Sequence, residues 1–137
     1  DFYSANPDHI SVIYLGRDES LAPVTDPQQI AAAKAKYGIS GDYFLYLGTL
    51  QPRKNIARIV EAFDRWQQAH QDGTGLVLAG AKGWLFEDAW IEDIENIYVT
   101  GYIGDADKGG LIAGALALVF QAGACQLKAA LLSPSRR

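Results

Sequence analysis

The 137-residue chain is predicted to be an α/β protein, a Rossmann-like parallel sheet with helices on both faces. Three observations predict it. Short apolar runs, of the kind that fills a sheet covered on both sides, recur along the chain. Segments with helical periodicity or helix-start signals separate them at βαβ spacing. Hydrophobic residues make up 49% of the chain and charged residues 20%, enough for one domain's core and too apolar for global disorder.

HISVIYLG (9–16) is rich in β-branched residues and is predicted as the first strand. DPQQIAAAKAKYG (26–38) carries an Asp N-cap, a proline at the first helical position and a glycine stop, which predicts a helix. DYFLYLG (42–48) reads as a buried strand. Ile56, Ile59, Val60, Phe63 and Trp66 then fall on one helical stripe, the clearest periodic signal in the chain. GLVLAGA (75–81) is another buried strand, and WLFEDAWIEDIE (84–95) reads as an acidic helix. NIYVTG (96–101) reads as a strand, DADKGGLIAGA (105–115) as a glycine-weakened helix and LALVF (116–120) as a last strand. Residues 1–8 look like an incoming linker, and 9–120 like the domain. The final QAGACQLKAALLSPSRR (121–137) loses the rhythm, although Ala122 to Leu132 could form one more helix.

In such a sheet, ligands bind beyond the carboxyl ends of the strands. Three loops there carry unusual residues. In the first, YLGTLQPRKN (46–55), Gly48 permits a sharp turn and Asn55 is a good N-cap residue. Arg53 and Lys54 stand before a helix N-terminus that is itself partly positive. Either the two cations point into water, or they and the free helix amides bind an anion. In the second loop, AGAKGW, Gly80 and Gly83 allow close backbone approach, and Trp84 either covers a ligand or staples the following helix to the sheet. In the third, TGYIGDAD, Tyr102 and Ile103 lie where backbone groups could read a base edge. Asp105 and Asp107 resemble a metal-holding pair, but their place at a helix start favours a capping role for Asp105.

A net charge of −4 argues against a general nucleic-acid binder, so any anion site must be local. No dinucleotide fingerprint, P-loop or nucleophile elbow is present. His9 and His70 are too far apart for a local metal pair, and His70 reads as a helper at a helix C-terminus. The single cysteine, Cys125, excludes an internal disulfide. No apolar run reaches membrane-span length and the start lacks a signal peptide's features, so a soluble, cytoplasmic protein is expected.

In this order, HISVIYLGRD, YLGTLQPRKNIARIVEAF, LVLAGAKGW and IYVTGYIGDADKGGLIAGALALVF resemble the C-terminal, donor-binding domain of retaining GT-B glycosyltransferases of family 4. The resemblance implies one half of a GT-B architecture that grips a nucleotide-diphosphate sugar and needs no separate cofactor or metal. It places Lys54 on the donor diphosphate, with Gly48, Thr49, Arg53 and Asn55 around it, and Gly80, Tyr102 and Ile103 on the base and ribose side. GDP-mannose is favoured over UDP-sugars, because GTL-x-PRKN loops resemble those of mannosyltransferases.

Two departures stand out. Many relatives carry Arg after the glycine, where this chain has Thr49, so Arg53 would have to supply that contact. After Phe120 the family's Glu-Gly-Phe-Gly loop and second glutamate do not follow, so no complete catalytic set is expected and a truncated or frame-altered product is inferred. The acceptor, and any membrane contact, would belong to an N-terminal domain that is missing here. The alternatives are a non-catalytic α/β interaction module and a sugar-nucleotide epimerase-like domain.

Overall fold

The computed structural model describes residues 6–16, 23–84, 87–122 and 126–131. Helix α1 (Pro27–Lys36) begins as its sequence dictates: the Asp26 carboxylate accepts the Gln28 amide at 2.9 Å and Pro27 occupies the first turn. Strand β1 (Tyr43–Leu47) leads through a loop and a 3-10 turn (Pro52–Lys54) into α2 (Ile56–His70). Strand β2 (Gly75–Ala79), buried at every position, precedes β3 (Ile97–Gly101), α3 (Asp105–Gly114) and β4 (Ala117–Ala122). The sheet order is β3-β2-β1-β4-β5, with β5 spanning Gln126–Leu131. The first four strands are mutually parallel, and β5 runs antiparallel to β4.

Side chains alternate across the sheet, so each strand feeds two cores. Tyr43, Leu45, Val77 and Ala79 pack with Ala33 of α1 and Leu111 of α3 on one face. Tyr46, Leu76 and Leu78 pack with Ile56, Ile59, Val60 and Phe63 of α2 on the other. The helical stripe read from sequence is therefore the second core. Each of those fully buried side chains contributes roughly 1.5–3 kcal/mol of apolar burial. At the end of α2, His70 stacks on Trp66 with ring centroids 4.4 Å apart, and its Nδ1 lies 2.8 Å from the Trp66 carbonyl, as expected of a C-terminal helper.

The glycines of α3 weaken its intrinsic propensity and at the same time permit its packing. A Cβ on Gly110 would lie 2.9 Å from the Ala33 Cβ, and one on Gly114 would lie 2.9 Å from both Ile30 Cγ2 and the Tyr43 hydroxyl. At this separation of four residues the two glycines form a groove into which α1 fits. The start of α3 is tied to the end of α1 by Asp107, which accepts from Lys36 Nζ at 2.5 Å and from the Tyr37 hydroxyl at 2.8 Å. The lysine bond, reinforced by the tyrosine, holds the Asp107 carboxyl below the usual carboxylate range.

Three expected elements differ. Residues 9–16 form no strand, and Ile10, Val12, Ile13, Tyr14 and Leu15 are exposed. Strand propensity needs a sheet edge to act on, and the outer edge of β4 is taken by β5. The described part of the helix expected from Ala122 to Leu132 is strand instead: Ala122 ends β4 and Gln126–Leu131 is β5, whose pairing satisfies that open edge. The acidic segment 84–95 contains only a 3-10 turn at Asp88–Trp90 and further turns, with residues 85 and 86 outside the described residues. In an α-helix Asp88 and Glu92 would be like charges at i,i+4, and Glu92 and Glu95 at i,i+3. The tight turns still bring Trp90, Ile91 and Ile94 against the α2 core. Cys125 and the basic end of the tail lie outside the described residues, as do residues 1–5 of the expected linker.

Candidate functional site

The loops leaving β1, β2 and β3 are joined by backbone hydrogen bonds beyond the strand ends. Gly48 N donates to Ala79 O at 2.9 Å and Gly80 N to Gly101 O at 2.9 Å. Leu50 N then donates to Ala81 O at 3.0 Å, and Gly83 N donates back to Leu50 O at 2.9 Å. This continuation requires glycine at its closest point. Gly48 and Gly80 adopt φ of 149° and 153°, and a Cβ on Gly80 would lie 2.6 Å from the Gly48 carbonyl carbon and closer still to its oxygen.

The joined strand ends wall a cavity of about 260 Å³. Leu47, Gly48 and Thr49 come from the first loop, and Ala79, Gly80 and Ala81 from the second. Tyr102 and Ile103 come from the third loop, and Lys108 from the first turn of α3. Complete small-molecule sites run to roughly 300–1,000 Å³, so the cavity has room for one end of a ligand whose remainder lies outside. Of the residues expected from sequence, it gathers Gly48, Thr49, Gly80, Tyr102 and Ile103.

Arg53, Lys54 and Asn55 do not line it. The two cations sit on the exposed 3-10 turn that enters α2. Arg53 Nε donates to Gln51 Oε1 at 2.8 Å, and Lys54 has no ion-pair partner among the described residues. Burial raises the Tyr46 hydroxyl pKa, and the Arg53 charge partly opposes that rise. Asn55 holds the N-cap position of α2 without capping it. Its backbone is left-handed at φ 53° and ψ 43°, and its side chain makes no capping hydrogen bond. Asparagine tolerates this conformation, and the reversal from 3-10 turn to α-helix requires it. The amides of Ile56 and Ala57 accordingly have no backbone acceptor among the described residues. The N-terminus of α2 remains an open, positive helix end.

Two further sequence readings are corrected. Asp105 is not the cap of α3. Gly104 is, with no side-chain capping bond, because the chain turns helical immediately after it; Asp105 is the first helical residue and pairs with Lys108 Nζ at 2.5 Å. Trp84 staples no α-helix, since among the described residues only a 3-10 turn and further turns lie between it and β3, and its side chain is 73% exposed. Among the described residues no group of three or more His, Cys, Asp or Glu side chains is placed to hold a metal ion.

Lys108 is the residue that sequence reading missed. Its signal was the i,i+3 spacing from Asp105, which reads as an ordinary surface pair unless the cavity beside it is known.

No helix among the described residues is long and apolar enough to cross a membrane. No protein-family profile matches the chain. A 101-residue alignment, covering 69% of this chain, is 30% identical to the O-antigen chain mannosyltransferase B of Escherichia coli. The chain spans about a quarter of that relative, 26% of its length. The likeness, distant and partial, is to a glycosyltransferase.

Proposed function

We propose that this chain is the donor-binding part of a retaining GT-B glycosyltransferase of the family 4 type and that it holds a nucleotide-diphosphate sugar. The observation that carries the reading is the convergence of three strand-end loops on one cavity, the first of which runs on into an uncapped, cation-flanked helix end. The nucleoside end occupies the cavity against Gly80, Tyr102 and Ile103. The diphosphate lies across Gly48 and Thr49 toward Arg53, Lys54 and the free amides of Ile56 and Ala57. Charge that develops on the leaving diphosphate is stabilised there by fixed donors and the helix dipole, a purely electrostatic contribution. GDP-mannose is the favoured donor, in keeping with the mannosyltransferase likeness. Acceptor binding and the acidic groups that frame the sugar belong to other parts of such an enzyme. We therefore expect the 137-residue chain to bind donor without efficient transfer, and to act in the cytoplasm.

Calorimetric titration with GDP, UDP and ADP tests this. Lys54→Ala should weaken nucleoside-diphosphate binding roughly tenfold or more, as expected for loss of a charge-assisted contact, with an unchanged circular dichroism spectrum. Absence of any nucleotide binding by the unaltered chain would overturn the reading. It would favour the interaction-module alternative, for which the exposed apolar residues from Ile10 to Leu15 speak.

A further inference from the structure

Lys108 supplies the one charged side chain among those that wall the cavity. Its ammonium is bonded to Asp105 Oδ1 at 2.5 Å. The two partners differ in setting: the Asp105 side chain is 87% exposed and that of Lys108 39%. The lysine therefore lies along the cavity wall and meets its carboxylate at the rim. The turn that carries both is fixed from behind, where Asp107 is bound by Lys36 and Tyr37 of α1. Lys108 itself donates its amide to Gly104 O at 3.2 Å, so its backbone is set by the same turn.

An ammonium has three hydrogens to donate and accepts none. One is committed to Asp105, which leaves two for a ligand in the cavity. Other polar groups on these walls are the backbone of two glycines and the hydroxyls of Thr49 and Tyr102. Lys108 is thus the strongest donor that a ligand entering the cavity would meet. It follows the Tyr102–Ile103 loop in the chain, in the first turn of α3, whereas Arg53 and Lys54 do not line the cavity.

We propose that Lys108 selects the nucleobase by donating to the neighbouring O6 and N7 acceptors of guanine, with Asp105 holding the ammonium in position. This rests on the nucleotide-binding reading above. Lysine and arginine pair with that edge of guanine because it shows two adjacent acceptors. Adenine presents an amino donor in place of O6, which the ammonium cannot match. Uracil has carbonyl oxygens at O2 and O4 but no N7, so it lacks the adjacent pair of acceptors that guanine shows at O6 and N7. Tyr102, 78% exposed at the cavity mouth, supplies a ring on which any base can stack, and so adds affinity without choosing between bases. The nearby Asp105 carboxylate keeps Lys108 charged by raising its pKa above the ordinary lysine value. The expected order of affinity is GDP, then UDP, then ADP.

The test is calorimetric titration of the 137-residue chain, and of its Lys108→Ala and Lys108→Arg variants, with GDP, UDP and ADP. The unaltered chain should favour GDP over ADP by about tenfold, within the range of one good base contact. Lys108→Ala should bring that ratio to within about twofold by lowering GDP affinity much more than ADP affinity, and an unchanged circular dichroism spectrum reports an intact fold. Lys108→Arg should keep the preference, because arginine reads the same two acceptors. Equal weakening of all three nucleotides in Lys108→Ala would overturn the proposal, leaving Lys108 a phosphate contact or a structural residue. A GDP preference that survives Lys108→Ala, or that the unaltered chain lacks, would overturn it too, with the donor-binding reading intact. If the unaltered chain binds none of the three, both fail together.

Discussion

Tyr43 offers a direct measurement of how firmly α3 is closed onto the sheet. Its side chain has no solvent exposure, and its hydroxyl donates to the Leu111 carbonyl at 2.7 Å. That carbonyl is among the last four of α3, which lack intrahelical amide partners, so a side chain from the sheet completes the helix end. Burial pushes the Tyr43 hydroxyl from 10.0 up to about 12. Because the folded pKa is raised, the associated stability is complete below the unfolded value and is lost as pH rises through the folded one. Between pH 10 and 12 the unfolded chain releases this proton and the folded chain keeps it. Stability therefore falls by about 1.4 kcal/mol per pH unit, roughly 2.7 kcal/mol across the window.

Tyr43→Phe removes both the proton and the bond. Near pH 8 the variant should be less stable by about 1–3 kcal/mol, the usual cost of a buried acceptor left alone. Above pH 10 it should lack the Tyr43 contribution to the alkaline slope, so the two stability curves converge and can cross. Urea unfolding followed by circular dichroism at pH 8, 10, 11 and 12 measures this. Other tyrosines and the lysines titrate in both proteins and cancel in the difference. A gap that stays constant from pH 8 to pH 12 would refute the assignment of a raised pKa to Tyr43.

Other substitutions probe the packing groove and the joined loops. Gly114→Ala should destabilise the fold by about 1–3 kcal/mol, as overpacking of a tight contact does, since its Cβ meets Ile30 and the Tyr43 hydroxyl. Thermal unfolding would show it, and Tyr43→Phe should relieve part of the loss by removing one of the two obstructing atoms. Gly80→Ala should abolish nucleotide binding in calorimetry while much of the helical signal remains, because the new methyl group collides with the Gly48 carbonyl at the cavity wall. Full affinity in Gly80→Ala would show that the cavity does not hold the ligand.

What could be read in advance depended on how locally each feature is encoded. The α2 stripe from Ile56 to Trp66, and the apolar runs of β1 and β2, are periodic patterns that burial alone explains, and they occur where expected. The Asp26–Pro27 start of α1 is equally local. Residues 9–16 and β5 depend instead on which segment reaches the outer edge of β4, a competition between distant parts of the chain that propensity does not register. Within the site, the glycines and the Tyr102–Ile103 step were legible because strand ends in such a sheet converge. The place of Lys108 on the cavity wall was not, since it follows from how α3 lies on α1 through Gly110 and Gly114. Nor was the failure of Asn55 to cap, because the left-handed turn that prevents it is set by the 3-10 turn before it.

The hydrogen bonds that carry β1 and β2 past their formal ends, through Leu50, Ala81 and Gly83, have a thermodynamic consequence. Loops at binding sites commonly lose freedom when a ligand arrives, and that ordering subtracts from affinity. Here the first two loops are already fixed to one another by their own amides. A ligand that enters between Gly48 and Gly80 meets walls in their final shape, so little of its interaction energy is spent on ordering chain. Removing one of those amides while keeping the buried Leu50 side chain, for example by an ester in place of the Leu50 peptide N–H, would leave the contact surface chemically unchanged and still lower affinity, with the loss carried by entropy.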